Sequence, residues 1–462
     1  MTIETIIIHK SDPTPIYKQI AKQICDLIEQ GVLVANQKLP THRWLADKLD
    51  VTVGTITRSY AEVERKGFVE ARVGAGTYVT DTQKDSWVFE AEVTDNNECN
   101  FGYNIPPTLD RSPFLEKAMT QLMSRPQQLN QLMLYQKPAG IDAHRERVTR
   151  WLKNKGFNVD AQRMLFSSGA QHGLQIVLDT FARAGDTLLV EKLTYPGVIS
   201  LAKQKQLTLK SVDMDEQGIV PDALEAACRQ YQTRFIYLTP TLQNPTTAIM
   251  SLERRRAILK ICKKHDIYVI EDDVNGVLAE NAPPALINLD SERVIHLGAF
   301  SKYLAPGLRV GYLYAPQALY PRLVMTLQNH SWMISPLLTA LACELLHNGD
   351  AERCLATIRL EMARRLNATL SELGALDINH QPGCFHVWLR LPEHWRLSDF
   401  VAAAQAQNII VKSAELFTPP GGHVVPAVRL SLSSPSSIAQ LERGVRTLNQ
   451  LIISNPVDEF TL

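Results

Sequence analysis

The densest chemistry in the chain lies in Gly298–Tyr312, GAFSKYLAPGLRVGY. Lys302 is embedded there in apolar sequence, where an unpaired ammonium is costly, and Arg309 follows beyond a Pro306-Gly307 turn. A lysine that forms a Schiff base must reach an aldehyde carbon while a second cation holds an anionic handle of the same molecule, and this pair supplies both. Other groups upstream suit the rest of such a ligand. Asp272 ends the apolar run IYVIEDD, where a carboxylate can pair with a protonated ring nitrogen. Asn244, in the rigid turn Asn244-Pro245-Thr246, offers an amide to a ring hydroxyl. Ser168-Gly169-Ala170-Gln171 opens a helix, whose free N–H groups can cradle a phosphate. Tyr195, in LTYPG, can stack on a ring face. Alone, each also has a plainer and less favoured reading: Asp272 as a cap, Asn244 as a turn residue and Tyr195 as core. The ordered set, closed by Ser301-Lys302 and Arg309, points to one phosphorylated ring aldehyde.

A second constellation occupies the N-terminal eighty residues. Thr52, Gly54, Thr55 and Arg58 fall at the start of a third helix. In a helix-turn-helix those positions face base edges in the major groove. The threonine hydroxyls can donate to phosphates or bases, and the helix N-terminus favours a phosphate oxygen. Gly74, Gly76 and Thr77 form a glycine-tipped hairpin that lets the backbone approach a sugar-phosphate edge closely.

These groups need scaffolds of two kinds. Ile16, Ile20, Ile24, Leu27 and Ile28 recur at helical spacing up to Gly31. Thr41 precedes a short helix with Trp44, Leu45 and Leu49, and a turn at Asp50–Gly54 leads to a helix with Ile56, Tyr60 and Val63 on one face. Gly67 stops it, and Phe68–Val69 and Thr77–Val79 read as strands. Three helices and a hairpin make a winged helix-turn-helix. Residues 81–98, DTQKDSWVFEAEVTDNNE, are polar and without clear periodicity, so they read as a linker in which Trp87, Val88 and Phe89 are the candidates to dock on a neighbouring surface. Beyond them the runs TLLVE, RFIYLTP, IYVIEDD and RVIHLGAF, each expected to be followed by a turn and a helix, predict an α/β domain with a mainly parallel sheet. Helices dominate after residue 320, and CFHVWLRL and AVRLSLS add strands of a small α+β C-terminal subdomain.

Bulk properties exclude more than they assign. Formal charge is zero over the chain, and residues 1–80 carry ten Lys/Arg against nine Asp/Glu, so nucleic-acid binding must rest on motif and placement. The seven cysteines are scattered without CxxC spacing, which argues against a disulfide scaffold or a zinc cluster and for a reducing, cytoplasmic setting. No metal site is expected. No apolar run reaches the ~18 residues of a membrane-spanning helix.

The run from Tyr17-x-Gln19-Ile20 through Leu39-Pro40-x-x-Arg43, Thr55-Ile56-x-Arg58-x-Tyr60 and Gly74-x-Gly76-Thr77 resembles a GntR-type winged helix. The ordered set around Lys302 resembles the fold-type-I aminotransferases. The two together resemble the MocR subfamily of GntR regulators over almost the whole chain. That resemblance implies a DNA-binding domain at 1–80, a linker at 81–98 and a cofactor-binding, effector-binding and dimerisation domain at 99–462. It implies pyridoxal 5'-phosphate on Lys302 and a DNA contact by Arg43. It also implies that Tyr135 reaches the phosphate of a partner subunit in a head-to-tail homodimer, and that Arg429 holds an effector carboxylate through its bidentate fork. The partners implied are a double-stranded DNA operator and an amino compound, or pyridoxal phosphate itself.

The chain departs from that pattern in places. Val53 replaces a common arginine, Val274 and Asn275 stand where a ring-hydroxyl tyrosine is usual, Ala299 lacks a phosphate hydroxyl, and Thr247 replaces a glycine. Asn275 is the one candidate to substitute for the tyrosine. Binding groups are kept while groups that tune proton transfer have drifted, so a sensor is expected over an enzyme. The alternative is an active aminotransferase with an appended DNA-binding domain.

Overall fold

The structure, a computed structural model, describes residues 6–9, 14–29, 32–34, 37–72, 76–80 and 98–454. Gly31, the wing tip at 73–75 with Gly74, and residues 81–97 of the linker, Trp87, Val88 and Phe89 included, lie outside the described residues. The chain divides into two compact units, Met1–Val93 and Thr94–Leu462.

In the first unit, α1 (Ile16–Glu29) buries Ile20, Ala21, Ile24 and Cys25 on the stripe that the spacing sets. Thr41 caps α2 (His42–Leu49) by accepting the Trp44 N–H. Thr52 caps α3 (Val53–Arg65) in the same way, accepting from Thr55 N–H at 3.2 Å. That cap starts the helix at Val53, so Gly54 lies in its first turn and not in the preceding turn, as the sequence suggested. β1 (Val69–Arg72) and β2 (Gly76–Val79) pair antiparallel, with Val69 opposite Val79, and Lys38 bridges to Tyr78. Phe68 therefore precedes the first strand, which runs on to Arg72. Ile20, Ile24, Leu45, Ile56, Val63 and Val69 close one core beneath these elements.

The second unit is organised around a seven-stranded sheet. Its strands are β3 (Met164–Ser167), β4 (Thr187–Glu191), β5 (Thr208–Val212), β6 (Thr233–Leu238), β7 (Tyr268–Asp272), β8 (Val294–Ala299) and β9 (Gly311–Tyr314). They lie in the order β3-β9-β8-β7-β6-β4-β5, all parallel except β9, which opposes both neighbours. All six residues of β8 are buried, which explains why its sequence reads as one apolar run instead of an alternation. RVIHLGAF is not followed by a helix, contrary to expectation. Two short 3-10 turns, Phe300–Lys302 and Pro306–Leu308, lead into β9. Pro306 and the left-handed backbone of Arg309 (φ 50°) turn the chain back at that point.

That reversal decides where the chemistry sits. Because β9 runs backwards, its first residues share an edge with the last residues of β3, β7 and β8. The C-terminal edge of a parallel sheet is where ligands bind in such folds. A second sheet, β10 (Ile378–Asn379), β11 (His386–Arg390), β12 (Lys412–Ser413) and β13 (Ala427–Ser431), is antiparallel in the order β10-β11-β13-β12. The helices Asp350–Leu373 and Ile438–Ile453 pack against each other in this C-terminal part. No described helix is long and apolar enough to cross a membrane.

Candidate functional site

Lys302 ends the 3-10 turn that follows β8. Its Nζ donates to the Asn104 carbonyl and lies 5.9 Å from the centre of the Phe385 ring. Burial, reinforced by the Arg429 charge and opposed by Asp272, pulls its amine down to about 8. A lysine in that range sheds its proton readily and becomes a nucleophile. Asp272 is the last residue of β7. Its Oδ2 accepts from the Tyr237 hydroxyl at 2.6 Å and its Oδ1 from Val274 N–H at 3.3 Å, both neutral donors. Burial raises its carboxyl, while those two bonds act in the opposite direction.

The third corner is an anion cup. Gly169 (φ 83°) caps α4 (Ala170–Phe181) without a side-chain bond, which leaves the first amides of the helix to a ligand. Arg309 Nη2 donates to Ser168 O at 3.0 Å and would stand 2.7 Å from any Cβ at position 169. Gly311 is constrained from below, since its Cβ would meet the Gly169 carbonyl carbon at 2.7 Å. A guanidinium and a helix N-terminus therefore face one small volume that only glycine leaves open. Gln171 Nε2 donates to Gly197 O at 3.1 Å, and its buried Oε1 has no partner. Ser301 is half-buried in the same turn as Lys302.

Tyr195 opens the helix Pro196–Gln204, with its ring against Gly197, where a Cβ would lie 2.2 Å from Tyr195 Cε1. Burial, first among the causes, holds its phenol at about 12. Asn244 precedes Pro245 through a cis bond and accepts on Oδ1 from Arg429 Nη1 at 3.0 Å. Arg429, on β13, also donates from Nη2 to Gly102 O at 2.6 Å, and its buried Nε has no partner. Asn275 donates from Nδ2 to Leu242 O at 3.2 Å, so its amide holds the loop that carries Asn244. Its buried Oδ1 has no partner. Thr247 takes a positive φ of 66° and Ala299 is buried. Tyr135 does not join this cluster within the chain: it stands 81 % exposed, edge-on to Trp332 at 5.8 Å.

Three participants escaped the reading of the sequence. Tyr237 had a signal, since a tyrosine in the buried run RFIYL needs a partner for its hydroxyl. His172 had a weaker one, its place in the first turn of α4. There Nδ1 accepts Ser168 N–H at 3.0 Å, and the ring leads on to His330 at 3.3 Å. Asn104 meets Lys302 through its backbone carbonyl, which no side-chain pattern announces.

In the first unit, a cleft of about 360 Å³ is lined by Ile16, Tyr17, Thr52, Gly54, Thr55 and Arg58. Arg43, Gly54, Arg58 and Gly76 are exposed and Thr77 is half-buried. The Thr52 and Thr55 hydroxyls are 2.9 Å apart and serve the cap, so they are already engaged within the helix end. Val53, 43 % exposed, extends that end with an apolar group. Lys38, overlooked in the sequence, lies beside Gly76 and 5.8 Å from the Tyr78 ring centre, adding a cation at the base of the hairpin.

Comparison with known proteins agrees with both units. Residues 96–448 match the family model for aminotransferase class I and II, and residues 16–79 match the gntR family of bacterial regulatory proteins. The chain belongs to the GntR-type regulators that carry an aminotransferase domain, the MocR architecture. It is 30 % identical over 442 residues to the uncharacterized HTH-type transcriptional regulator YdeF of Bacillus subtilis (strain 168), covering 95 % of this chain and 94 % of that one. It is 27 % identical to YjiR of Escherichia coli (strain K12), another uncharacterized HTH-type transcriptional regulator, covering 88 % and 92 %. Among solved structures, the multiple substrate aminotransferase of Thermococcus profundus gives a TM-score of 0.73 at 22 % identity, over 79 % of this chain and 94 % of that one. LysN, the alpha-aminoadipate aminotransferase of Thermus thermophilus, gives 0.68 at 26 % identity, over 77 % and 92 %.

The aminotransferase class implies pyridoxal 5'-phosphate, and the residues of this regulator fit it. Lys302 offers an easily deprotonated amine, Asp272 a carboxylate with only neutral partners, and Gly169 with Arg309 an anion cup. Buried polar atoms of Gln171, Asn275 and Arg429 lack protein partners. An aldehyde, a ring nitrogen and a phosphate each find a complement.

Proposed function

We propose that residues 1–80 bind a DNA operator, 81–98 link, and 99–462 hold pyridoxal phosphate, bind an amino-compound effector and dimerise, in a cytoplasmic regulator that senses rather than turns over. The observation that carries this reading is the convergence of Lys302, Asp272, Gly169 and Arg309 on one sheet edge, in a chain that also folds a winged helix-turn-helix.

Pyridoxal phosphate, when bound, supplies an electrophilic carbon and a ring that draws off electrons. Lys302 presents its amine to that carbon, and Asp272 keeps a proton on the ring nitrogen. Gly169, Ala170, Gln171, Ser301 and Arg309 surround the phosphate, joined by Tyr135 from the other copy of a head-to-tail homodimer. Asn244, whose Oδ1 is taken by Arg429, would have Nδ2 for the ring hydroxyl, and Tyr195 would supply an aromatic surface for the ring. Arg429 exchanges Asn244 and Gly102 for an effector carboxylate. Turnover also depends on groups that tune the ring hydroxyl, where a tyrosine is usual in the aminotransferase pattern. Val274 has no such group, and the Asn275 amide is tied to the Leu242 carbonyl. Arg43, Arg58 and the backbone at Gly54, Gly76 and Thr77 meet the operator, and an effector that binds one arrangement better than another re-spaces the two winged helices.

The test is a DNA-binding titration on the chain's own upstream region, with and without pyridoxal phosphate, alongside transamination assays over a panel of amino donors. Operator affinity that changes with the cofactor or an amine, without sustained turnover, is expected. Turnover at ordinary enzymatic rates with no effect on DNA binding would overturn the sensor reading in favour of an aminotransferase.

A further inference from the structure

Lys412 belongs to none of the groups assigned above. It lies on β12 directly opposite Arg429 on β13, so the two side chains leave the same face of the second sheet. Both meet at Gly102: Arg429 Nη2 donates to its carbonyl at 2.6 Å, and the Lys412 stem lies so close that a Cβ on Gly102 would stand 3.0 Å from Lys412 Cε. Gly102 belongs to the segment that continues to Asn104, whose carbonyl takes the Lys302 ammonium. One short stretch of backbone thus connects Lys302, Arg429 and Lys412.

The charges here do not balance. Arg429 is buried and its partners are all neutral oxygens, with Nε left over. Lys412 is half-buried beside the Gly102 backbone, with the Tyr103 ring centre 6.0 Å from its ammonium, and no described carboxylate forms an ion pair with it. Like charges directly opposite on paired strands destabilise a sheet. Cations drawn out of water without an anion are costlier still. The phosphate of the cofactor does not relieve this, because its complement is the cup at Gly169 and Arg309 on the other sheet. An arginine fork suits one carboxylate, which leaves Lys412 for another anion.

We infer that Lys412 is a second anion contact of the effector pocket, and that the effector is an amine bearing two acidic groups. This rests on the reading of Arg429 as the contact for the effector's first carboxylate. The full chain loaded with pyridoxal phosphate is titrated with matched pairs, glutamate against glutamine and aspartate against asparagine, following the visible band of the bound cofactor. The diacid of at least one pair binds at least tenfold more tightly than its amide. Lys412→Met brings that ratio close to one, and Lys412→Arg restores most of it. Equal binding within both pairs overturns the inference while leaving the Arg429 reading intact. So does a Lys412→Met variant that weakens acid and amide alike, because Lys412 would then share the first carboxylate. If no member of either pair moves the band, and Arg429→Gln is equally silent, the reading of the pocket as an effector site fails with it.

Discussion

The Lys302 amine sits at about 8 because it is buried beside Arg429, with Asp272 only partly offsetting both. Only the deprotonated amine attacks an aldehyde. Capture of pyridoxal phosphate should therefore quicken as pH rises through that value and level off above it, as stopped-flow absorbance would record; a rate that stayed flat from neutral to alkaline pH would contradict the assignment. Lys302→Ala should lose the lysine-bound cofactor band altogether. Gly169 allows a second test. Gly169→Ala combines a positive φ with a 2.7 Å approach to Arg309 and should cost roughly 1–3 kcal/mol in denaturant unfolding as well as phosphate affinity. Gly185→Ala imposes a similar backbone (φ 90°) with nothing within 4 Å, so it should lose stability without losing cofactor. Lys302, Arg309, Asp272 and Gly169 could be read in the sequence because each is a distinctive residue at a fixed distance from an apolar run. The Asn104 carbonyl and the Tyr237 hydroxyl could not, since their roles depend on segments brought together only by folding.

At the scale of elements, the hydrophobic periods located the helices and strands, while caps and reversals set their ends. Thr52 moves the start of α3 to Val53, a shift that a glycine at position 54 disguises. The polarity of β9 was hidden because its four residues are all buried and carry no directional pattern. Thr52→Ala should lower the stability of the winged helix by about 0.5–2 kcal/mol through loss of the cap. Arg43→Ala and Arg58→Ala, both at exposed positions, should instead leave the melting transition in place. Each should reduce the salt slope of operator binding by about one unit. A salt titration unchanged in either variant would strike that arginine from the DNA face.

At the scale of the molecule, Met119, Met123, Met133, Leu134 and Tyr135 are large apolar side chains close in sequence, each more than half exposed. Exposed apolar side chains gathered in one stretch of the chain are candidates for a contact with another protein copy. Leu134→Asp should shift the sedimentation profile towards monomer and weaken cofactor retention together, if Tyr135 beside it serves the other copy's phosphate as proposed. A monomer that kept full cofactor affinity would show each site to be self-sufficient. The backward run of β9 has one more consequence. It sets Lys302 and Arg309 at the facing ends of two paired strands of one sheet, a span that cannot stretch. Arg429 and Lys412 stand on the other sheet. A ligand reaching from the Lys302 amine to Arg429 would therefore have to match the distance between two sheets of one compact unit, so its length, as much as its charge, would decide whether it fits.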